Sequence, residues 1–147
     1  MLKPYAVQTI SYDNLTTFSK QFTKELKPKD VVALTGVIGA GKTTFLRHLL
    51  SEMGLCLESG FSSPTFTILN QYELPNVLIN HIDLYRLDSF TELEQIDLIS
   101  LFEPTESMTF VEWADKFEEL EPYYTKRLHF DYSSHSPTER LITCYAR

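Results

Sequence analysis

Glycine is scarce in this chain, with five residues in 147. Three of the five fall between positions 36 and 41, so backbone freedom is concentrated at one place. Cysteine is scarcer still. Cys56 and Cys144 stand far apart without a CxxC or Cys/His spacing, and His48, His81, His129 and His135 are scattered. That pattern argues against a structural zinc centre and predicts two buried or half-buried thiols. Positive charge is short as well: 13 Lys and Arg face 20 Asp and Glu, for a formal net charge of −7. Such a chain lacks the broad basic surface that gripping a phosphate backbone requires. Long apolar runs are missing too. Nothing approaches the roughly 18 residues of a membrane span, and MLKPYAVQTI does not read as a signal peptide. These absences predict a soluble, cytoplasmic protein.

What is present suffices for one core. Hydrophobic residues make up 43% of the chain, with ten Phe and eight Tyr, and there is no repeat or low-complexity tract. We expect a single domain over 1–147. Tyr5 to Ile10 reads as a strand. Leu15, Phe18, Phe22 and Leu26 recur at helical spacing and predict a helix over about 14–26. Val31 to Thr35 is a continuous apolar run of the kind buried on both faces in a parallel sheet. Lys42 to Met53 reads as a helix closed by Gly54. Gly60 to Pro64 is loop, and Thr65 to Tyr72 and Val77 to Ile82 are strands. Thr91 to Phe102 is helical with a break near Asp97, and Thr109 to Val111 is a buried strand. Ala114 to Leu120 forms a short acidic helix or turn. Lys126 to Tyr132 and Leu141 to Tyr145 flank loop residues and predict a terminal β-hairpin. The sum is an α/β domain with a mixed, mostly parallel central sheet flanked by helices.

The glycine cluster carries the chemistry. Gly36-Val37-Ile38-Gly39-Ala40-Gly41-Lys42-Thr43 matches G-x-x-x-x-G-K-T in full, after a buried strand and before an amphipathic helix. Glycines let successive N–H groups turn inward toward phosphate oxygens, and the helix N-terminus adds its positive dipole end. Gly39, Ala40 and Gly41 therefore become phosphate-facing backbone. Lys42 sets an ammonium against the outer phosphates and Thr43 offers a hard oxygen to Mg²⁺. Thr44 is a second hydroxyl suited to a cap or a phosphate contact. The motif predicts a nucleoside triphosphate with Mg²⁺; the class of P-loop protein then narrows it to ATP/ADP.

Two strand-end acids could complete the site, since ligands of open α/β sheets collect beyond the carboxyl ends of strands. Asp83 ends Val77–Ile82 and is assigned to the metal, through a water. Glu112 ends Thr109–Val111 and is the candidate to orient or deprotonate the attacking water, with a place near the metal as well. Each acid read alone could be an ordinary turn cap. Trp113, the only tryptophan, could stack on a base or a partner or belong to the core. Arg86 could steady transition-state charge, anchor a partner, or pair with Asp88 or Glu92. A contact to the base is expected near the N-terminal helix. No N-K-x-D motif is present, which removes the GTPases, and the chain is too short for a helicase or AAA motor. A small-molecule kinase would need an arginine-rich lid, yet there are only five arginines. A minimal ATPase whose hydrolysis acts on a partner remains favoured.

Four segments in order, Gly36 to Phe45, Ser63-Pro64-Thr65-Phe66, His81-Ile82-Asp83-Leu84-Tyr85-Arg86-Leu87 and Val111-Glu112-Trp113, together resemble the TsaE (YjeE) family. The resemblance covers nearly the whole chain. It implies a bacterial ATPase of transfer-RNA threonylcarbamoyladenosine synthesis that works on a TsaB–TsaD complex and touches transfer RNA only through it. By the same resemblance Glu112 sits beside the γ-phosphate, Trp113 lies near the nucleotide, and Ser63-Pro64-Thr65 forms a switch-like loop. Thr65 could contact phosphate or metal there, or simply open a Pro-rigidified strand. Two departures stand out: Val37 occupies a position where many family members carry Asp, and Gln95-Ile96-Asp97 replaces a frequent Gly.

Overall fold

The run Val31-Val32-Ala33-Leu34-Thr35 is buried throughout, because it lies at the centre of a sheet covered on both faces. The computed structural model describes all residues but 57, 59, 60, 63, 104 and 105. Its elements are β1 (Lys3–Ser11), α1 (Leu15–Thr23), β2 (Val31–Gly36), α2 (Lys42–Glu52), β3 (Leu69–Glu73), β4 (Leu78–Asp83), α3 (Phe90–Gln95), β5 (Met108–Glu112), β6 (Lys126–Tyr132) and β7 (Glu139–Ala146). The strands form one seven-stranded sheet in the order β1-β7-β6-β2-β5-β4-β3. Its four central strands run parallel, while β3 at one side and the β7–β1 pair at the other are antiparallel. The mixed, mostly parallel sheet and the β6–β7 hairpin match the architecture expected from the sequence.

Alternation along the strands sorts side chains between two cores. Leu34, Ile79, Phe110 and Phe130 face α1 and α2, whose Phe18, Phe22, Phe45, Leu46, Leu49 and Leu50 are buried against them. Each such buried side chain contributes on the order of 1.5–3 kcal/mol relative to exposure. Those contacts hold α2, and with it the end of the glycine loop, rigidly on the sheet. Ala33, Ile82 and Val111 face the other way, against Leu84, Leu93, Phe102, Leu120 and Tyr124. Across the parallel strands Leu34 pairs with Glu112, and Glu112 with Asp83. The strand-end acids therefore finish level, beside the start of the loop.

Several boundaries differ from expectation. The helix predicted to reach Leu26 ends at Thr23, and tight three-residue turns at Lys24, Glu25 and Leu26 lead into Pro28. The strand expected from Thr65 begins only at Leu69. Ile68 adopts φ 69°, and its N–H folds back to the Pro64 carbonyl at 2.6 Å, so 65–68 is a turn. Gly60 and Ser63, predicted as loop, lie outside the described residues. The helix over 91–102 is broken as expected: α3 stops at Gln95, Asp97 takes φ 56°, and a 3-10 turn covers Ile99–Phe102. Cys144 is buried, which pushes its thiol up to about 11, but Cys56 is exposed, contrary to expectation.

Candidate functional site

Gly36 leaves β2 with φ 131°, a conformation foreign to L side chains. It also lies against β6 so closely that a Cβ there would sit 2.3 Å from the Phe130 carbonyl oxygen. Beyond it Val37 and Ile38 are exposed, the Ala40 N–H donates to the Val37 carbonyl at 3.1 Å, and Gly41 opens α2 at φ 101°. The Tyr132 hydroxyl, reaching from β6, donates to the Ile38 carbonyl at 3.1 Å and braces the loop from outside.

Lys42, at the first position of α2, is only 6% exposed. Its Nζ donates to the carbonyls of Gly36 at 2.7 Å and Val37 at 3.0 Å, and lies 5.0 Å from the centroid of the Trp113 ring. Burial pulls the ammonium below the ordinary lysine value, while the charges of Glu112, Asp115 and Asp83 act in the opposite sense. An ammonium held this way answers readily to additional negative charge.

Next to it the Thr43 hydroxyl donates to Glu112 Oε1 at 2.5 Å. The other carboxylate oxygen, Oε2, lies 2.7 Å from Nε2 of His81. Asp83 Oδ1 accepts the Tyr85 N–H at 2.9 Å, and its Oδ2 accepts the Thr65 hydroxyl at 3.1 Å. Asp83 is 3% exposed. Burial raises its carboxyl above the usual carboxylate range, and the Glu112 charge adds to the rise, while the hydrogen bonds from Tyr85 and Thr65 offset part of it. Gly39, Gly41, Lys42, Thr43, Thr44, Thr65, Asp83, Glu112 and Trp113 all line one cleft of about 320 Å³. Ala40 lines a neighbouring pocket of about 220 Å³ on the far side of the loop, with Tyr12, Leu15, Phe130, Arg140 and Ile142. That pocket adjoins the N-terminal helix, where a base contact was expected, but Phe130, Thr138, Arg140 and Ile142 of the C-terminal hairpin also wall it.

The donor set suits Mg²⁺. Thr43 spends its proton on Glu112 and keeps lone pairs on its oxygen, and two carboxylates stand beside it, all hard oxygen ligands. Among the described residues no cluster of three or more His, Cys, Asp or Glu could cage a metal.

Two open alternatives now have positions. Trp113 is half-buried at the cleft wall, with φ 58° and its ring 5.1 Å from that of Tyr85. Arg86 does not take the pairing considered for it: its guanidinium lies 5.2 Å over the Phe66 ring and donates to the Phe66 carbonyl at 3.4 Å. Asp88 and Glu92 join each other instead, through a 3.3 Å bond from the Asp88 N–H. Sequence reasoning missed His81 and Tyr132. His81 could have been found, since it stands two residues before Asp83 and alternation puts both on one face. Nothing local marks Tyr132.

This geometry has known relatives. The sequence profile of the family described as threonylcarbamoyl adenosine biosynthesis protein TsaE matches residues 9–142. The chain belongs to the TsaE family. A TsaE protein of Rickettsia bellii is 36% identical over 118 residues, covering 78% of this chain and 79% of its own length. That of Haemophilus influenzae is 31% identical over 134 residues, covering 88% and 83%. The crystal structure of Bacillus subtilis YdiB superposes with a TM-score of 0.68 at 26% identity, over 99% of this chain and 87% of that one. The TsaE resemblance read from four motifs is thus borne out over most of the chain. Among the described residues no helix is long and apolar enough to cross a membrane.

Proposed function

We propose that this protein is a Mg²⁺-dependent ATPase that serves as an accessory subunit in threonylcarbamoyladenosine modification of transfer RNA in the cytoplasm. The observation that carries the proposal is the 2.5 Å bond from Thr43 to Glu112. It joins a phosphate-loop hydroxyl to a strand-end acid in the cleft that also holds Lys42 and Asp83. The α2 N-terminus and the loop N–H groups receive phosphate oxygens, and Lys42 trades its carbonyl partners for the outer phosphates. The base and ribose extend into the neighbouring pocket, where Tyr12 and Arg140 offer an aromatic ring and a planar cation. Thr43, Asp83 and Glu112 would hold Mg²⁺, directly or through water, and the ion would neutralise charge on the transferring phosphoryl group.

The reaction is in-line attack of a water oxygen on the γ-phosphorus, with cleavage of the bond to the β-phosphate bridging oxygen and departure of ADP. Each Glu112 oxygen accepts one hydrogen bond and retains a lone pair able to orient that water. A second division of labour is favoured by the raised carboxyl of Asp83: a more basic carboxylate is the better proton acceptor, which would leave Glu112 to the metal side. The energy of hydrolysis is used on a TsaB–TsaD complex, which carries out the transfer chemistry. The net charge of −7 supports an indirect relation to transfer RNA.

The test is calorimetry of ATP and ADP with and without Mg²⁺, together with release of free phosphate. Lys42→Ala is expected to lose tight nucleotide binding, and unchanged affinity would reject the site. Glu112→Ala is expected to bind nucleotide without turnover. If instead Asp83→Asn alone abolishes turnover while Glu112→Ala loses only Mg²⁺ dependence, the second division of labour holds. Reconstitution with TsaB and TsaD, following modified transfer RNA with ATP or a non-hydrolysable analogue, tests the accessory role. Full multi-turnover modification with the analogue would reject it.

A further inference from the structure

We propose that His81 is a positioning residue that holds the carboxylate of Glu112 in the plane its role requires; this rests on the ATPase reading above. His81 lies on β4 and Glu112 on β5, and the pairing of Asp83 with Glu112 places His81 one pleat deeper on the same face. Its side chain is fully buried and that of Glu112 is 3% exposed, with 2.7 Å between Nε2 and Oε2. A carboxylate oxygen only accepts, so the imidazole carries its proton on Nε2. Among the described residues Nδ1 has no hydrogen-bond partner.

That combination is costly for a residue that merely fills space. The ring lies parallel to Phe61, with centroids 5.8 Å apart and 16° between planes, and 6.4 Å from Tyr72. An apolar ring would suit such a slot and would leave no buried nitrogen unbonded. What the imidazole adds is a single directed donor, fixed in orientation by the two aromatic rings. The terminal torsion of a glutamate is broad, so one hydrogen bond from Thr43 would leave the carboxylate free to rotate. A second donor on the other oxygen removes that freedom. It also keeps Oε1 on the Thr43 hydroxyl, which turns the lone pairs of Thr43 toward the cleft. His81 itself does not line the cleft and touches neither phosphate loop nor nucleotide pocket. Among the described residues its side chain bonds Glu112, and through that carboxylate it acts on Thr43.

Two substitutions of similar polarity separate the donated bond from packing. In His81→Gln the amide nitrogen reaches about as far as Nε2; in His81→Asn it stops at the level of Nδ1. We expect His81→Asn to lower kcat for ATP about tenfold or more, as loss of a supporting ligand partner typically does. KM for ATP and the Kd for ADP without Mg²⁺ should move less than about threefold, because the loop and Lys42 are untouched. His81→Gln should restore most of the kcat. Unchanged kcat in His81→Asn overturns the proposal, as does an equal loss in both variants. Nitrogen NMR of the imidazole in the nucleotide-free wild type gives a readout independent of activity and of variant folding. It should show Nε2 protonated, its proton protected from exchange and shifted by Glu112→Gln, and a proton found on Nδ1 alone would overturn the assignment. If the wild type hydrolyses no ATP, the ATPase reading fails, and the NMR result still decides whether His81 holds Glu112.

Discussion

Replacing Gly36 by Ala should break this protein twice over, and the two contributions can be measured apart. The backbone at Gly36 sits at φ 131°, outside the left-handed basin that a non-glycine residue occasionally tolerates. Holding alanine there costs on the order of 1–3 kcal/mol. The added methyl would also stand 2.3 Å from the Phe130 carbonyl oxygen and 3.1 Å from its carbonyl carbon. Carbon–oxygen contacts normally begin at about 3.3 Å, so the overlap approaches 1 Å and falls on backbone that cannot rotate away. Relief requires β6 to separate from β2 at their Gly36–Phe130 pair, an overpacking cost of about 1–3 kcal/mol. The total is about 4 kcal/mol, which for a domain of this size lowers Tm on the order of 10 °C. Urea and thermal melts measure this, with ADP calorimetry as a second readout, since the loop start must move. Gly41→Ala is the control: φ is 101°, but no atom lies within 4 Å of the added methyl, so only the backbone cost applies. The reasoning fails if Gly36→Ala melts within about 1 kcal/mol of wild type, the scale of an ordinary surface change, or loses no more than Gly41→Ala.

Other perturbations address the cleft. Thr43→Val keeps shape but removes the donor to Glu112; we expect a loss of about 1.5–3 kcal/mol in urea melts and nucleotide affinity that no longer responds to Mg²⁺. Asp83 is held above its ordinary value of 3.8 by burial, so its ionised form is tolerated less well in the folded chain than in the unfolded one. Its effect on stability is absent below 3.8 and grows unfavourable as pH rises through the elevated folded value. Asp83→Asn should therefore gain stability relative to wild type on going from acid to neutral pH, while turnover falls on the order of 10²-fold. Melts across that range showing the reverse trend would contradict the assignment. Tyr132→Phe should weaken ADP binding by about 0.5–1.5 kcal/mol through loss of the bond to Ile38, and calorimetry showing equal affinity would dismiss the brace.

The strand–loop–helix that carries the glycine motif was legible because every requirement is local. A buried apolar run, three glycines and a lysine–threonine pair fall within thirteen residues, and each carries its own physical signature. The level of Asp83 with Glu112 was not legible, since it depends on parallel register between strands far apart in sequence. Thr65 misled for a related reason. Phe66, Ile68 and Leu69 have strand propensity, but the Asp83 N–H binds the Ile68 carbonyl and the Ile68 N–H binds Pro64, and these contacts turn the chain. Arg86 illustrates the limit of charge matching: acids lay nearby in sequence, yet an exposed ring and a carbonyl took the guanidinium. His81 was passed over because it was weighed as a metal ligand and found alone, when its actual neighbour is a carboxylate on another strand.

The order in which the sheet is threaded bears on when this protein becomes competent. The loop that would receive phosphate is complete in sequence by Thr43, but its outer brace is Tyr132, and the pocket beside it is closed by Phe130, Arg140 and Ile142. β6 packs directly on β2, and β7 then joins β6 to β1, so residues more than ninety positions downstream finish what the first third of the chain begins. Pairings this distant form late and slowly. During synthesis the nascent chain would carry an intact glycine motif with no working nucleotide site, and a labelled nucleotide should bind ribosome-held chains only once the final strand has emerged.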